Sequence, residues 1–273
     1  MQKLLNTQCE GETLYLESSC ESTLTVTRET ITTIYAGDTL TRSGESIVLL
    51  AFINEEDDGF LGDIIRASSI IFEIWNSQGK VREVTAQITK ISPGHAVAEA
   101  LIEPLPPGLY TVRVRLADNS YYQSEETTSE LAVYDPEAGF VYGAGIIKED
   151  GLKMFCFNVS YSKRDQTRPR GHFSFTDRKG PRCTIRIVAT SFSYLVIPEN
   201  QKKAYVQGLC SFNGNHGYTF SLEIQDSDRR LFRSSDYISI VVKDPLGQVV
   251  YQFEGEITAG VIEIKREKAK GSG

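Results

Sequence analysis

The sequence predicts an all-β chain of two tandem β-sandwich domains, and three observations carry that prediction. Nearly every apolar cluster is short, β-branched or aromatic and bounded by Gly, Pro, Asn, Asp or Ser, the punctuation of strands. The run Leu105-Pro106-Pro107-Gly108-Leu109-Tyr110-Thr111-Val112-Arg113-Val114-Arg115 joins a Pro-Gly reversal to a strand of alternating apolar and polar residues. Tyr110 stands near the start of that strand, where its ring can enter the core while its hydroxyl reaches back to the corner backbone. That arrangement marks the first domain as Ig-like. Third, Asp135-Pro136-Glu137-Ala138-Gly139 breaks the strand pattern where the charge changes sign.

Residues 1–22 have weak strand character and read as a lead or an added edge strand. The first domain, 23–135, takes strands near 23–26, 31–35, 47–53, 70–75, 81–88, 96–102, 109–116 and 129–134. Trp75, the only tryptophan, closes a middle strand and is expected to pack in the core or at its rim. The second domain, 136–270, takes strands near 141–147, 152–161, 172–175, 184–189, 194–197, 204–212, 218–224, 237–242, 249–253 and 261–264. Turns such as Asn213-Gly214-Asn215 and Asp244-Pro245-Leu246-Gly247 separate them, giving a second sandwich or a flattened barrel.

At 273 residues the chain is long enough to bury two cores. It has no apolar run of the roughly 18 to 20 residues that a spanning helix needs. Met1-Gln2-Lys3-Leu4-Leu5 is followed at once by polar residues, so a secretory leader is not expected in this stretch. Residues 1–138 hold 9 Lys/Arg against 22 Asp/Glu, a net of −13, and residues 139–273 hold 20 against 14, a net of +6. Opposite fields of this kind can orient association within a chain or between copies. An acidic total and the lack of a recognition fold argue against nucleic acid.

The five cysteines form no CxxC pair, which leaves zinc and redox readings weak. Cys9 with Cys20, and Cys183 with Cys210, are disulfide candidates, with buried thiols as the alternative. His95, His172 and His216 fall on different elements, and no Gly-x-Ser-x-Gly elbow exposes a nucleophile.

The Tyr110 turn, together with Thr32-Thr33-Ile34-Tyr35-Ala36-Gly37-Asp38, resembles the Ig-like repeats of bacterial and archaeal cell-surface proteins over about 23–135. The second half is similar to an uncharacterised β-domain that follows Ig-like or polycystic-kidney-disease-type repeats in secreted prokaryotic proteins. Gly143-Ala144-Gly145-Ile146, Gly171-His172-Phe173-Ser174-Phe175, Ala204-Tyr205-Val206-Gln207-Gly208 and the segment from Asp236 to Asp244 carry that likeness. The resemblance implies an extracellular or cell-surface β-protein and supplies no catalytic residues.

The candidate sites are few. Asp226, Asp228 and Asp236 are oxygen-rich residues between strands and could gather calcium; the acidic run 55–58 is a weaker one. Arg164, Arg168, Arg170, Arg178 and Lys179 form the densest basic stretch, read as a loop that would take carboxylate or sulfate, on an anionic glycan or a partner. Tyr121-Tyr122 and Phe192-Ser193-Tyr194 could stack on sugar rings. The expected function is that of a non-enzymatic structural or adhesive surface protein, in a specific form a self-assembling subunit that donates residues 1–20 to an open sheet edge. Its partners would be copies of itself or other surface proteins. A carbohydrate-binding accessory module is the alternative.

Overall fold

The computed structural model describes residues 3–4, 22–24, 27–59, 61–180, 183–199, 202–227 and 236–266. Cys9, Cys20 and Asp228 lie outside them, as does the lead apart from residues 3–4 and 22. Strand β1 (Lys3–Leu4) pairs antiparallel with β2 (Thr23–Leu24). The chain is all-β, as its punctuation predicts, and folds into two curled sheets.

The first nine-stranded system comprises β3 (Glu29–Tyr35), β4 (Leu40–Arg42), β5 (Ile47–Glu55), β6 (Ser69–Asn76), β7 (Gly79–Ser92), β8 (His95–Ile102), β9 (Gly108–Leu116), β10 (Tyr122–Gln123) and β11 (Thr127–Tyr134). Strand β7 serves both layers: residues 79–87 pair with β6, and residues 88–92 with β8. One layer therefore runs β3-β5-β8-β7 and the other β7-β6-β9-β11, with β4 parallel to β11 at the edge. This is the two-sheet strand order of an immunoglobulin-type sandwich. Tyr110 is buried and its hydroxyl donates to the Pro106 carbonyl at 2.7 Å, the tie its position predicts. At the other corner Val48 N donates to Asp38 Oδ2 at 2.7 Å and Tyr35 donates to the Asp38 carbonyl at 2.8 Å. A side chain at Gly37 would fall 2.5 Å from the Val48 carbonyl oxygen, which explains the glycine in that motif.

The second system is β12 (Gly139–Ile147), β13 (Leu152–Ser162), β14 (Asp165–Gly180), β15 (Cys183–Val196), β16 (Lys203–Phe212), β17 (Asn215–Gln225), β18 (Tyr237–Lys243), β19 (Val249–Glu256) and β20 (Ala259–Arg266). Strands β12 to β19 meander antiparallel, and β20 returns to pair with β12, placing Arg266 opposite Gly139. The core is ring-rich: Phe173 and Phe220 stack at 4.9 Å, and Phe192 meets Phe220 edge-on. Side chains at Gly143 and Gly145 would sit 2.7 and 2.9 Å from the rings of Phe157 and Phe155, so the Gly143-Ala144-Gly145 segment leaves the space those rings occupy.

Two expectations about elements are corrected. The basic stretch is not a loop, because Asp165–Gly180 is one continuous strand and only Lys163 and Arg164 make the turn. The stretches expected near 184–189 and 194–197 are one strand, β15, whose register shifts at Ala189/Ser191 and Phe192/Tyr194 break the apparent alternation.

Candidate functional site

Residues 135–138 connect the two sandwiches in a turn pinned by Glu137 N donating to Asp135 Oδ1 at 2.9 Å. With so short a connection, β11 ends against β15 and β16. Ala132, Tyr194 and Val196 form a small apolar core of their own there, with Leu109, Tyr134 and Tyr205 packed on it. The Tyr134 and Tyr161 rings stack at 5.2 Å, and the Tyr161 hydroxyl accepts from Leu195 N at 3.2 Å. Tyr194 donates to Glu130 Oε1 at 2.6 Å, and Gln207 reaches the same oxygen at 3.4 Å. Burial, and then the Glu130 charge, push the Tyr194 hydroxyl well above its ordinary pKa, which keeps it a donor. Arg42 donates to Gln166 Oε1 at 3.1 Å from the other side. Three bonds that cross the junction, from Tyr194 and Gln207 to Glu130 and from Arg42 to Gln166, each set a charged group of the first sandwich against a neutral group of the second.

Two clefts flank this junction. One, of about 640 Å³, lies between Pro107, Glu137, Tyr161, Gln166, Glu199 and Arg266. The other, of about 420 Å³, has Trp75 and Tyr205 as aromatic walls and Thr111, Thr128, Ser129 and Glu130 as polar lining. Trp75 is half-buried at the rim: its Nε1 donates to Glu73 at 3.0 Å, and the Arg113 guanidinium lies 4.6 Å above its ring. Burial alone would raise the Glu73 carboxyl, but the bonds from Trp75 and Arg115 and the nearby Lys80 hold it below the usual carboxylate range.

The residues singled out in the sequence are placed as follows. Asp236 accepts from Ser227 N at 3.0 Å and Ile262 N at 2.9 Å, and Asp226 accepts from Ile264 N at 3.1 Å. These carboxylates cap the free edge of β20, where a further strand would otherwise bond. Among the described residues no group of three or more His, Cys, Asp or Glu side chains is gathered to hold a metal ion. Within the acidic run 55–58, Glu55 is buried and accepts from Gly62 N at 2.7 Å and Tyr122 at 3.3 Å. Its second oxygen, Oε2, is buried without a hydrogen bond, and the pKa of Glu29 is raised to about 7, first by its side-chain interaction with Glu55, then by burial and the charges of Glu55 and Asp58.

The five basic residues do not form one patch. Arg164 is at the turn and Arg168 and Arg170 are near the start of β14, whereas Arg178 and Lys179 lie eight or more positions further on. At about 3.4 Å per residue that is roughly 27 Å away. Arg170 is paired with Asp165 at 3.1 Å and Lys179 with Asp150 at 3.0 Å. The Cys183–Cys210 disulfide does not form: both thiols are free, and Cys210 lies opposite Ala189, six positions along β15 from Cys183. Burial pushes the Cys210 thiol up to about 11, so it packs as a small apolar group. Tyr122, Phe192 and Tyr194 are buried and offer no stacking face, and Tyr121 is exposed with Arg66 5.2 Å over its ring.

Sequence reasoning passed over Lys153 and Asp177, which are 2% and 1% exposed. Their parity carried the signal, for Lys153 is in phase with Phe155 and Phe157, and Asp177 with Phe173 and Phe175.

No protein-family model matches the chain, and no curated protein matches it. Among solved structures, a cycloalternan-forming enzyme from Listeria monocytogenes in complex with a pentasaccharide substrate is 12% identical, over 78% of this chain and 18% of that chain, with a TM-score of 0.26. An uncharacterised protein from Listeria monocytogenes EGD-e gives the same values, in one structure in complex with α-D-glucose, β-D-glucose, magnesium and calcium. This chain spans 18% of the length of those chains, and at that TM-score the likeness carries no argument.

Proposed function

We propose that the chain is a non-enzymatic structural or adhesive β-protein of the cell surface or extracellular space, in which the first sandwich is a stand and the second a presented head. The observation that carries this reading is the combination of a fastened junction with the pairing of Gly139 and Arg266. The strand that leads into the second sandwich and the strand that leads out of it are antiparallel neighbours. Tension between the first sandwich and residue 266 would peel β12 from β20 one hydrogen-bonded pair at a time instead of shearing a whole ladder. Such a domain suits display and is poorly suited to being a link under tension. Its partners would be other copies or other surface proteins, held by contacts on the head.

Single-molecule pulling between the first sandwich and residue 266 tests this directly. The head should open at a much lower force than the first sandwich, and equal resistance in both would overturn the stand-and-head reading. Light scattering with negative-stain microscopy then reads self-association. Regular oligomers that survive deletion of residues 1–20 would remove the strand-donor version.

A carbohydrate-binding accessory role is the second reading, and the cleft between Trp75 and Tyr205 favours it. Two aromatic walls with hydroxyl and carboxylate groups between them are the chemistry that holds a sugar. Saturable binding to a neutral polysaccharide, lost in Tyr205→Ala, would support it. No binding across neutral and acidic polysaccharides would exclude it.

A further inference from the structure

The most unusual group of side chains in the molecule lies away from the junction, at one end of the second sandwich. Lys153 on β13 and Asp177 on β14 are direct cross-strand partners, both pointing into the core. The Lys153 Nζ is 3.8 Å from Asp177 Oδ1. Tyr251 donates to the other oxygen, Oδ2, at 3.0 Å. The Phe253 ring centre lies 4.8 Å from Nζ, and the Phe175 ring packs on both Tyr251 and Phe253. Nζ also donates to the carbonyls of Glu149 and Asp150, whereas Asp177 Oδ1 is buried without any hydrogen bond.

As an ion pair this arrangement is poorly satisfied. Two charges have been taken out of water, and one carboxylate oxygen receives no donor. The same geometry is well suited to a different end state. We propose that Lys153 and Asp177 condense to an intramolecular isopeptide bond that joins β13 to β14.

The step balances with no co-reactant. Nζ attacks Cγ of Asp177, the Nζ–Cγ bond forms and the Cγ–Oδ1 bond breaks. Two of the three ammonium protons leave with Oδ1 as water, and the third stays on the amide nitrogen. Nothing is oxidised or reduced, and both buried charges disappear. Tyr251 is placed to donate to Oδ2 as negative charge gathers there during attack. Burial first, and then the Asp177 charge, push its hydroxyl above the ordinary value, so it remains protonated. From 3.8 Å off Oδ1, Nζ moves toward Cγ along the Asp177 side chain, and the aromatic shell restricts its other positions. A cavity of about 300 Å³ lined by Glu149, Asp150, Lys179, Gln252 and Glu254 adjoins the pair and gives the released water a way out. The product closes residues 153–177 into a covalent ring that contains the hairpin turn at 163–164, so this hairpin cannot open.

Intact mass of the denatured full chain, followed by tryptic peptide sequencing, tests the proposal. The expected mass is one water below that of the sequence, with trypsin failing to cut after Lys153 and the peptides bearing residues 153 and 177 travelling as one branched species. Lys153→Arg should restore the full mass, and Tyr251→Phe should slow cross-linking in freshly folded protein. A wild-type chain at full sequence mass overturns the proposal, whatever the variants do. So does a water loss confined to a linear peptide around Asp177, which would be an aspartimide. Cross-linking of Tyr251→Phe at the wild-type rate would overturn the assigned role of the Tyr251 hydroxyl.

Discussion

In the first sandwich the fully buried positions are filled mainly by branched aliphatic side chains, Ile31, Ile47, Leu49, Ile53, Ile70 and Ile74, with Phe72 the one fully buried large ring among its described residues. In the second, branched aliphatics such as Ile187, Ile224, Ile238, Ile240 and Val242 share the buried positions with four large rings, Phe157, Phe173, Phe175 and Phe220. The contrast follows from the topologies. Two facing layers that share β7 lie close enough for alternating Ile and Leu to interdigitate, as sandwich interiors do. A single meander that curls back until β20 meets β12 encloses a wider interior, and rings stacked across it supply the bulk. The sheet edges differ in the same way, for the first sandwich ends in short strands while the second caps β20 with the carboxylates of Asp226 and Asp236.

The strongest challenge to this comparison is Phe173→Ala. Loss of a fully buried ring should cost about 3–5 kcal/mol and lower the denaturant midpoint of the second sandwich alone. If both sandwiches shift together in equilibrium unfolding, the junction couples them into one cooperative unit and the two cores cannot be treated apart. Asp236→Ala comes next. It strands the amides of Ser227 and Ile262, at about 1–3 kcal/mol for a buried donor left unsatisfied. Thermal melts should show the same loss with calcium and with chelator; a loss confined to calcium-containing buffer would make Asp236 a cation ligand after all.

Smaller effects belong to the first sandwich. Tyr110→Phe removes only the bond to Pro106 and should cost about 1 kcal/mol, read as a lower midpoint at unchanged slope. The smallest is a pH dependence. Glu29, raised from 4.5 to about 7, binds its proton more tightly in the folded chain than in the unfolded one. Its contribution is therefore present at acid pH and lost as the pH rises through about 7. The melting temperature of the first sandwich should fall between pH 5 and pH 8, and Glu29→Gln should flatten that part of the profile.

Much of the architecture could be read from the residues because long strands announce themselves by alternation. The Tyr110 corner needed only a Pro-Gly turn ahead of an alternating run. What escaped was short, or had its signal hidden. Leu40-Thr41-Arg42 and Tyr122-Gln123 are too brief to alternate, and the polar start of β14, with Pro169 inside it, resembles a loop until its pairing with β13 is seen. The sites were less legible because a charged letter does not say which way it points. Asp226 and Asp236 read as calcium oxygens between strands, and what the alternation did not show is that their carboxylates accept backbone amides. Lys153 and Asp177 went unremarked, although their phase with neighbouring phenylalanines places them inside. A cross-strand partner is a fact of register, and register is set by the whole sheet.

The Gly139–Arg266 pairing also bears on how such a domain can be combined with others. A module whose two ends lie side by side can be set into a loop of an unrelated host without prying that loop apart. The second sandwich is built in this way, so transplantation into a surface turn of another protein should leave both host and guest folded.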